Sequence, residues 1–140
     1  MTLTLNIKQI GSRKPVISAV PFEYPDEIRT VGELITETVR QCVASYNRRV
    51  REGTDDPKPL TDEQIGDMAS VGKIAFGLNY GGREQDLQPA IDNALQSYED
   101  GRFRIFVGEK EVGGLAENIE LHDGDMLSFI RLTMLTGRLW

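Results

Sequence analysis

The amino-acid sequence predicts an α+β protein, and three patterns lead to that prediction. Segments with alternating apolar and polar residues lie near both ends of the chain, which is typical of half-buried strands. A long segment at residues 31–50 carries apolar residues at helical spacing. The last apolar segment, residues 126–132, is apolar on both sides, as expected for a central strand.

Length and composition limit the class of protein. The chain has 140 residues, 39% apolar and 27% charged, which is ordinary for one globular domain or a small domain with an elaboration. A net charge of −6 argues against nucleic acid as a partner. The sequence shows no signal-peptide pattern and no apolar run of transmembrane length, so we expect a cytoplasmic protein that binds no membrane.

The first two strands are predicted to form a hairpin. Leu3, Leu5 and Ile7 alternate with polar residues, residues 11–15 have the composition of a turn, and a second strand is expected at residues 16–24. Pro21 lies inside this second strand and has no amide hydrogen to donate. The second strand should therefore be at an edge of the sheet.

A long amphipathic helix is predicted to follow. Thr30 and Glu33 have the spacing of a capping box, in which each side chain bonds the backbone at the other residue. Gly53 is a suitable residue to end the helix. The apolar stripe of this helix consists of Val31, Leu34, Ile35, Val39, Cys42, Val43, Tyr46 and Val50.

Cys42 is the one cysteine, and its place on this stripe favours a small buried hydrophobic role. A nucleophilic cysteine would need a nearby base. The one histidine, His122, is far away in sequence, although contact between the two side chains stays open at this point. His122 followed by Asp123 and Asp125 is interpreted as a solvated turn, because one histidine and two aspartates do not form a zinc ligand set.

The middle of the chain predicts two shorter helices. Residues 54–60 form a polar, proline-containing break, and a second capping box at residues 61–64 precedes a short helix with Met68 and Ala69 on its apolar side. Residues 72–84 are glycine-rich, and we expect irregular structure there. Pro89 suits the first turn of the next helix, which should end at residues 100–101.

The C-terminal part predicts three more strands. Phe103, Ile105 and Val107 share one face of a strand at residues 102–107, residues 108–111 form a turn, and Val112 begins a short returning strand. A second turn at residues 123–125 leads into the final strand. Three apolar anchors are expected in the connection between the short strand and the final strand: Leu115, Ile119 and Leu121.

This order of elements, together with the segment at residues 104–112 (RIFVGEKEV) and the final strand with the basic residues after it, resembles the ubiquitin-like (β-grasp) proteins. The resemblance covers residues 2–51 and 101–138, and it implies a mixed sheet of four to five strands wrapping one long helix. The last strand would then pair in parallel with the first. Residues 52–100 have no counterpart in the family, so we interpret them as a helical insertion into a single domain spanning residues 1–140.

The resemblance also implies a protein-binding surface. Ubiquitin-like proteins bind partners through an apolar patch on the exposed sheet face, and an ungapped match places Phe106 and Ile130 in that patch. Strand alternation agrees, because Phe106 and Ile130 should face away from the helix. The alternative is that the inserted helices fold back and cover this face.

The C-terminal tail departs from the family, because it ends in Gly137-Arg138-Leu139-Trp140 and lacks the terminal diglycine of conjugated modifiers. Its apolar residues suit docking to a partner or to a second copy of the chain, and packing on its own domain is the alternative. The candidate protein-binding residues are therefore Phe106, Ile130, Leu132, Met134, Leu139 and Trp140.

No catalytic constellation is found in the sequence, and we expect no metal and no cofactor. The favoured hypothesis is a non-enzymatic, bacterial-type adaptor that binds protein partners without covalent attachment. The second hypothesis is a protein modifier that is activated and conjugated through its C-terminal tail. The third is a small-ligand protein or enzyme component in which the insertion forms a lid on the sheet, with the glycine-rich residues 77–82 as a wall of the pocket.

Overall fold

The computed structural model describes residues 1–10, 16–52, 68–78 and 81–132. Within these ranges the chain forms three helices and a five-stranded mixed sheet, which confirms the α+β class. The strands are β1 (Thr2–Gln9), β2 (Ile17–Glu23), β3 (Phe103–Val107), β4 (Lys110–Glu111) and β5 (Met126–Arg131). The helices are α1 (Val31–Glu52), α2 (Met68–Phe76) and α3 (Leu87–Glu99). The predicted turn at residues 11–15, break at 54–60 and capping box at 61–64 lie outside the described residues.

The strands lie in the order β2-β1-β5-β3-β4. The central pair, β1 and β5, is parallel, and the other three pairs are antiparallel. β5 has a strand on each side, and consecutive residues Leu127, Ser128 and Phe129 are all buried, as the sequence predicts for a central strand. The short strand β4 comes slightly earlier than predicted, ending directly before Val112, whose N–H donates to the carbonyl of Ile105 at 3.0 Å.

The β2 edge carries two features that hinder pairing with another strand. Pro21 lies opposite Thr4, which confirms the edge position inferred from the missing proline donor. The register between β1 and β2 shifts at a bulge, where Ala19 has a φ of 57° and its N–H donates to the Asn6 side chain at 2.8 Å. Bulges of this kind bend and twist an edge strand, so β2 is protected against edge-to-edge association.

The α1 helix begins at the predicted capping box. The N–H of Glu33 donates to Thr30 Oγ1 at 3.1 Å, and the N–H of Thr30 donates to Glu33 Oε1 at 3.1 Å. The predicted apolar stripe is buried from Val31 to Tyr46, Cys42 included, while Val50 is half-buried. Burial of this stripe against the sheet is what keeps so long a helix in place.

The two shorter helices pack on the same side of the sheet as α1. The Phe76 ring at the end of α2 meets the rings of Phe103 and Phe129 edge-on, with centroids 5.2 and 5.5 Å apart. In α3, Ile91 and Ala94 are buried in the same hydrophobic cluster. The described helices of the predicted insertion therefore thicken the core and leave the opposite side of the sheet without a described helix.

The expectation of irregular structure from Gly72 onward is wrong for residues 72–76, which continue α2. Glycine inside a helix costs about 1 kcal/mol relative to alanine. That cost is smaller than the gain of about 1.5–3 kcal/mol for fully burying one large apolar side chain, and α2 buries both Val71 and Phe76. Tertiary packing thus outweighs the local preference. Helix α3 agrees with the prediction and is followed by Gly101, with a φ of 77°.

Arg131 holds the end of α2 against the sheet. It is the last residue of β5 and lies on the core side, where its Nη1 donates to the carbonyl of Ala75 at 3.1 Å. Burial lowers the pKa of the Arg131 guanidinium, and Arg102 lowers it further. Gly77 passes directly beneath this group with a φ of +70°, and a Cβ there would lie 3.0 Å from Nη2. Any other residue would be strained at position 77 and would push Arg131 away.

Candidate protein-interaction surface

The side of the sheet opposite the helices is the place where the sequence predicts a binding surface. Strand register brings side chains into two rows across this side. One row runs from Asn6 through Ser128 and Phe106 to Glu111, and the other runs from Lys8 through Ile130 to Arg104. Alternation assigns these residues to the side that faces away from α1, because Leu5, Ile105 and Phe129, their immediate neighbours in the strands, belong to the core.

Phe106 and Ile130 lie near the centre of this side, on adjacent strands. Ile130 is opposite Arg104, and Phe106 is opposite Ser128, so the two apolar side chains are diagonal neighbours. Diagonal pairs on a sheet are close enough for large side chains to touch. Both residues are half-buried, which leaves part of each apolar side chain accessible to a partner.

Two further apolar residues, missed by the sequence analysis, extend this surface. Met126 is 40% exposed, lies opposite Thr4, and accepts a hydrogen bond at its sulfur from Asn6 Nδ2 at 2.8 Å. Ile10 is 56% exposed, and its N–H donates to the carbonyl of Arg131, which brings it beside Leu132. Strand alternation could have identified both, because residues two apart lie on the same side of a sheet. Met126 precedes Ser128 by two residues, and Ile10 follows Lys8 by two.

Together these residues form what we call the sheet-face patch. Its members are Ile10, Phe106, Met126, Ile130 and Leu132. Leu132 is half-buried, and its N–H donates to the carbonyl of Arg102 at 2.9 Å. The structure therefore brings together three of the six predicted binding residues, Phe106, Ile130 and Leu132. The other three, Met134, Leu139 and Trp140, lie outside the described residues.

The charges around the patch differ from the charge of the whole chain. Lys8 and Arg104 flank Ile130 on its two sides, and Arg102 is next to Leu132. Their ion pairs are long and exposed, since Arg104 Nε is 3.7 Å from a Glu111 carboxylate oxygen and Arg102 Nε is 3.9 Å from an Asp100 carboxylate oxygen. Such pairs contribute little, so the cations stay available to a partner. One end of the patch is thus basic in a chain of net charge −6.

A cavity of about 290 Å³ lies near the glycine-rich segment on the helical side. Its described lining includes Val43 of α1, Gly77, Leu78 and the first turn of α3 around Pro89. Asn47 fixes one wall, because its side chain accepts from the N–H of Gln85 at 2.8 Å and donates to the carbonyl of Gln85 at 3.0 Å. The cavity is at the lower end of the size range of ligand sites.

The residues that the sequence analysis weighed as a nucleophile, a base or a metal ligand lie in different parts of the molecule. Cys42 is fully buried in α1. His122 is exposed, with its ring nitrogens 3.5 Å from Glu120 and 3.7 Å from Asp125. Within residues 1–10, 16–52, 68–78 and 81–132, no group of three or more histidine, cysteine or acidic side chains is arranged to hold a metal ion.

Among the described helices, none combines the length and the apolar character needed to span a bilayer. Comparison with protein-family models gives no match, and comparison with curated proteins and with solved structures gives no significant match either.

Proposed function

We propose that this chain is a ubiquitin-like protein-interaction module that binds its partners non-covalently and catalyses no reaction. The observation that carries the proposal is the sheet-face patch, in which Phe106 and Ile130 are partly exposed on a side where no described helix packs. Apolar side chains gathered on one open sheet side are typical of protein contact sites.

The topology supports the ubiquitin-like part of this proposal. The sheet order β2-β1-β5-β3-β4 has a parallel central pair, and α1 packs across one side of it. This is the arrangement that the resemblance to β-grasp proteins implies, including an edge position for β2 and a central position for β5. The segment between α1 and β3 adds α2 and α3 to the helical side, and such an addition is compatible with a binding surface on the other side.

The geometry of the patch supports binding rather than catalysis. Phe106 and Ile130 are held on adjacent hydrogen-bonded strands, so little conformational freedom is lost when a partner covers them. Large apolar anchors near the centre of an interface usually contribute most of its free energy, with polar residues at the rim. Lys8 and Arg104 provide such a rim, and they favour a partner with apolar and acidic residues.

The test compares a patch variant with a matched control. Ile130→Glu places a carboxylate between Lys8 and Arg104, which can both pair with it, and Phe106→Lys places a cation opposite Glu111. The control is Leu87→Glu, because Leu87 is also apolar and exposed but lies at the start of α3, where an acidic residue suits the helix dipole. Each variant carries an N-terminal tag and is recovered from its native cells in native and in boiled, denatured samples, which are analysed by mass spectrometry.

The proposal expects partners in the native sample only. They should be depleted at least tenfold with Ile130→Glu and with Phe106→Lys, and they should be retained with Leu87→Glu. If both patch variants retained the partners, the sheet-face patch would not be the binding surface. Species of increased mass that survive denaturation would instead support the modifier hypothesis and overturn non-covalent binding.

A further inference from the structure

A second surface lies on the helical side, at the start of α1, and its chemistry is opposite to that of the sheet-face patch. It is a groove of about 530 Å³. We call it the α1 groove. Its floor and walls are formed by Ile28, Gly32, Thr36, Leu95 and Leu115, and its acidic rim is formed by Glu27, Glu33 and Glu37.

Gly32 allows the backbone at Leu115 to lie close to the first turn of α1. The Gly32 N–H donates to the carbonyl of Leu115 at 2.9 Å, and a Cβ at position 32 would lie 3.3 Å from the same oxygen. The loop after β4 can therefore lie directly against the first turn of α1, which makes Leu115 one wall. Leu95 of α3 shares the groove with Leu115, and both side chains are half-buried. The result is an apolar depression that combines residues from separate parts of the chain.

The residues that line the groove carry a net negative charge. Of its ten described lining residues, three are glutamates and none is a lysine or arginine. Arg40 neutralises Glu37 through contacts at 2.9 and 2.5 Å, and this contact lowers the pKa of the Glu37 carboxyl. Glu27 and Glu33 then remain as the charged residues of the lining. The nearby Arg29 guanidinium donates to the carbonyl of Asp26 at 3.2 Å, and no described residue forms an ion pair with the Glu27 carboxylate.

The helix dipole does not reverse this charge. The N-terminus of α1 carries roughly half a positive charge, and Glu33 Oε1 accepts from the N–H groups of Arg29 and Thr30 at 2.8 and 3.1 Å. One full carboxylate charge thus lies against a partial positive charge, which leaves the rim negative. A cation next to the apolar floor would be attracted there, and an acidic ligand would be repelled.

We propose that the α1 groove docks a short amphipathic segment of a partner protein, with leucine-type side chains in the groove and lysine or arginine at the rim. Helix-in-groove recognition uses this combination of apolar anchors and complementary charge. The groove is on the helical side and the sheet-face patch is on the other side, so one molecule can hold two partners at once. This inference goes beyond the proposed function, and its failure would leave the patch unaffected.

The probe is a synthetic helical peptide composed of leucine and lysine. Its two controls are a twin with glutamate in place of lysine and a twin with serine in place of leucine. Amide NMR spectra of the full chain are recorded during titration with each peptide. The leucine–lysine peptide should shift the amides of Gly32, Thr36 and Leu115, and the two twins should bind at least tenfold more weakly.

Two variants test the groove, one by changing its charge and the other by changing its charge and filling its space. Glu27→Lys should weaken binding several-fold at low salt, with a smaller effect at high salt. Thr36→Lys fills the groove with a cation and should abolish the shifts. The matched control is Glu52→Lys, which makes the same charge change at the far end of α1, about 30 Å away at 1.5 Å per residue.

Several results would overturn the proposal. They are equal binding of the leucine–glutamate twin, shifts centred on the sheet-face patch, and equal weakening by Glu52→Lys and Glu27→Lys. If the peptide bound only after removal of residues 133–140, the occupant would be the chain's own tail. If sedimentation showed a dimer that Thr36→Lys dissociates, the occupant would be a second copy. Either of these last two results would overturn the proposal that a segment of a partner protein occupies the α1 groove.

Discussion

Consecutive residues of β5 lie on the two sides of the sheet, one side packed against the helices and the other carrying the sheet-face patch. Phe129 points to the helical side, where it is fully buried and stacks against Phe103 with ring centroids 6.2 Å apart. Ile130 points to the other side, where it is half-buried between Lys8 and Arg104. One strand thus contributes to stability through one set of residues and, on our proposal, to recognition through the next. Substitutions at neighbouring positions should therefore change different properties.

The largest expected effect is at the core residue of this pair. Phe129→Ala removes a fully buried ring that contacts Phe76 and Phe103, and it should lower the free energy of unfolding by about 3–5 kcal/mol. Ile130→Ala serves as the control and should cost about 1 kcal/mol, because its side chain is only half-buried. Urea denaturation measures both values. Equal losses of unfolding free energy for the two variants would show that Ile130 contributes to the core as much as Phe129 does.

A smaller loss is expected where the sheet holds α2. Arg131→Met keeps much of the aliphatic length of the side chain but removes the donor to the carbonyl of Ala75. The lost hydrogen bond from a charged group should lower the free energy of unfolding by about 1.5–3 kcal/mol. Hydrogen exchange of the α2 amides should accelerate more than exchange in β1. Uniform acceleration over both elements would show that Arg131 has no special connection with α2.

The capping box at the start of α1 is expected to contribute about 1 kcal/mol. Thr30→Ala removes the acceptor of the Glu33 N–H, and Thr30→Ser is the matched control because it keeps the hydroxyl. Thermal denaturation should show a lower Tm for the alanine variant and a Tm near the original value for the serine variant. A similar fall in both would assign the effect to the lost methyl group rather than to the cap.

The smallest effect concerns pH at the rim of the α1 groove. The hydrogen bond from Arg40 lowers the pKa of the Glu37 carboxyl below its usual value of 4.5. A carboxyl with a lowered pKa stabilises the fold above its usual pKa, and this contribution is lost as the pH falls through the lowered pKa. Glu37→Gln should therefore be slightly less stable than the original chain at pH 7 and equal to it near pH 2. A stability difference that grows toward low pH would contradict this assignment.

Most of the fold was predictable because its elements are decided by local patterns. Alternation located β1 and β3, the segment that is apolar on both sides located β5, and the pairing of Thr30 with Glu33 located the start of α1. The continuation of α2 through Gly72 was not predictable, since it depends on the contact of Phe76 with distant rings. The inward position of Arg131 was also missed, because the sequence does not show that the carbonyl of Ala75 accepts a hydrogen bond from this guanidinium on the core face.

The candidate surfaces were predictable to different extents. Phe106 and Ile130 could be inferred because strand parity assigns each residue to one side. Met126 and Ile10 follow from the same parity, but they lie at strand ends, where a sequence does not show whether a side chain stays exposed. The α1 groove was not predictable, because Gly32, Leu95 and Leu115 meet only after the helices have packed.

A paired measurement on Ile130→Glu tests directly whether the sheet-face patch binds partners without belonging to the core. Its free energy of unfolding is determined by urea denaturation, and its partners are counted in a native pull-down beside those of Leu87→Glu. We expect a free energy of unfolding within about 1 kcal/mol of that of the original chain, since the new carboxylate lies between Lys8 and Arg104. We also expect loss of the partners. An unfolded variant would mean that this side of the sheet belongs to the core, and unchanged partners would mean that binding occurs elsewhere. Either result would rule out the sheet-face patch as the binding surface.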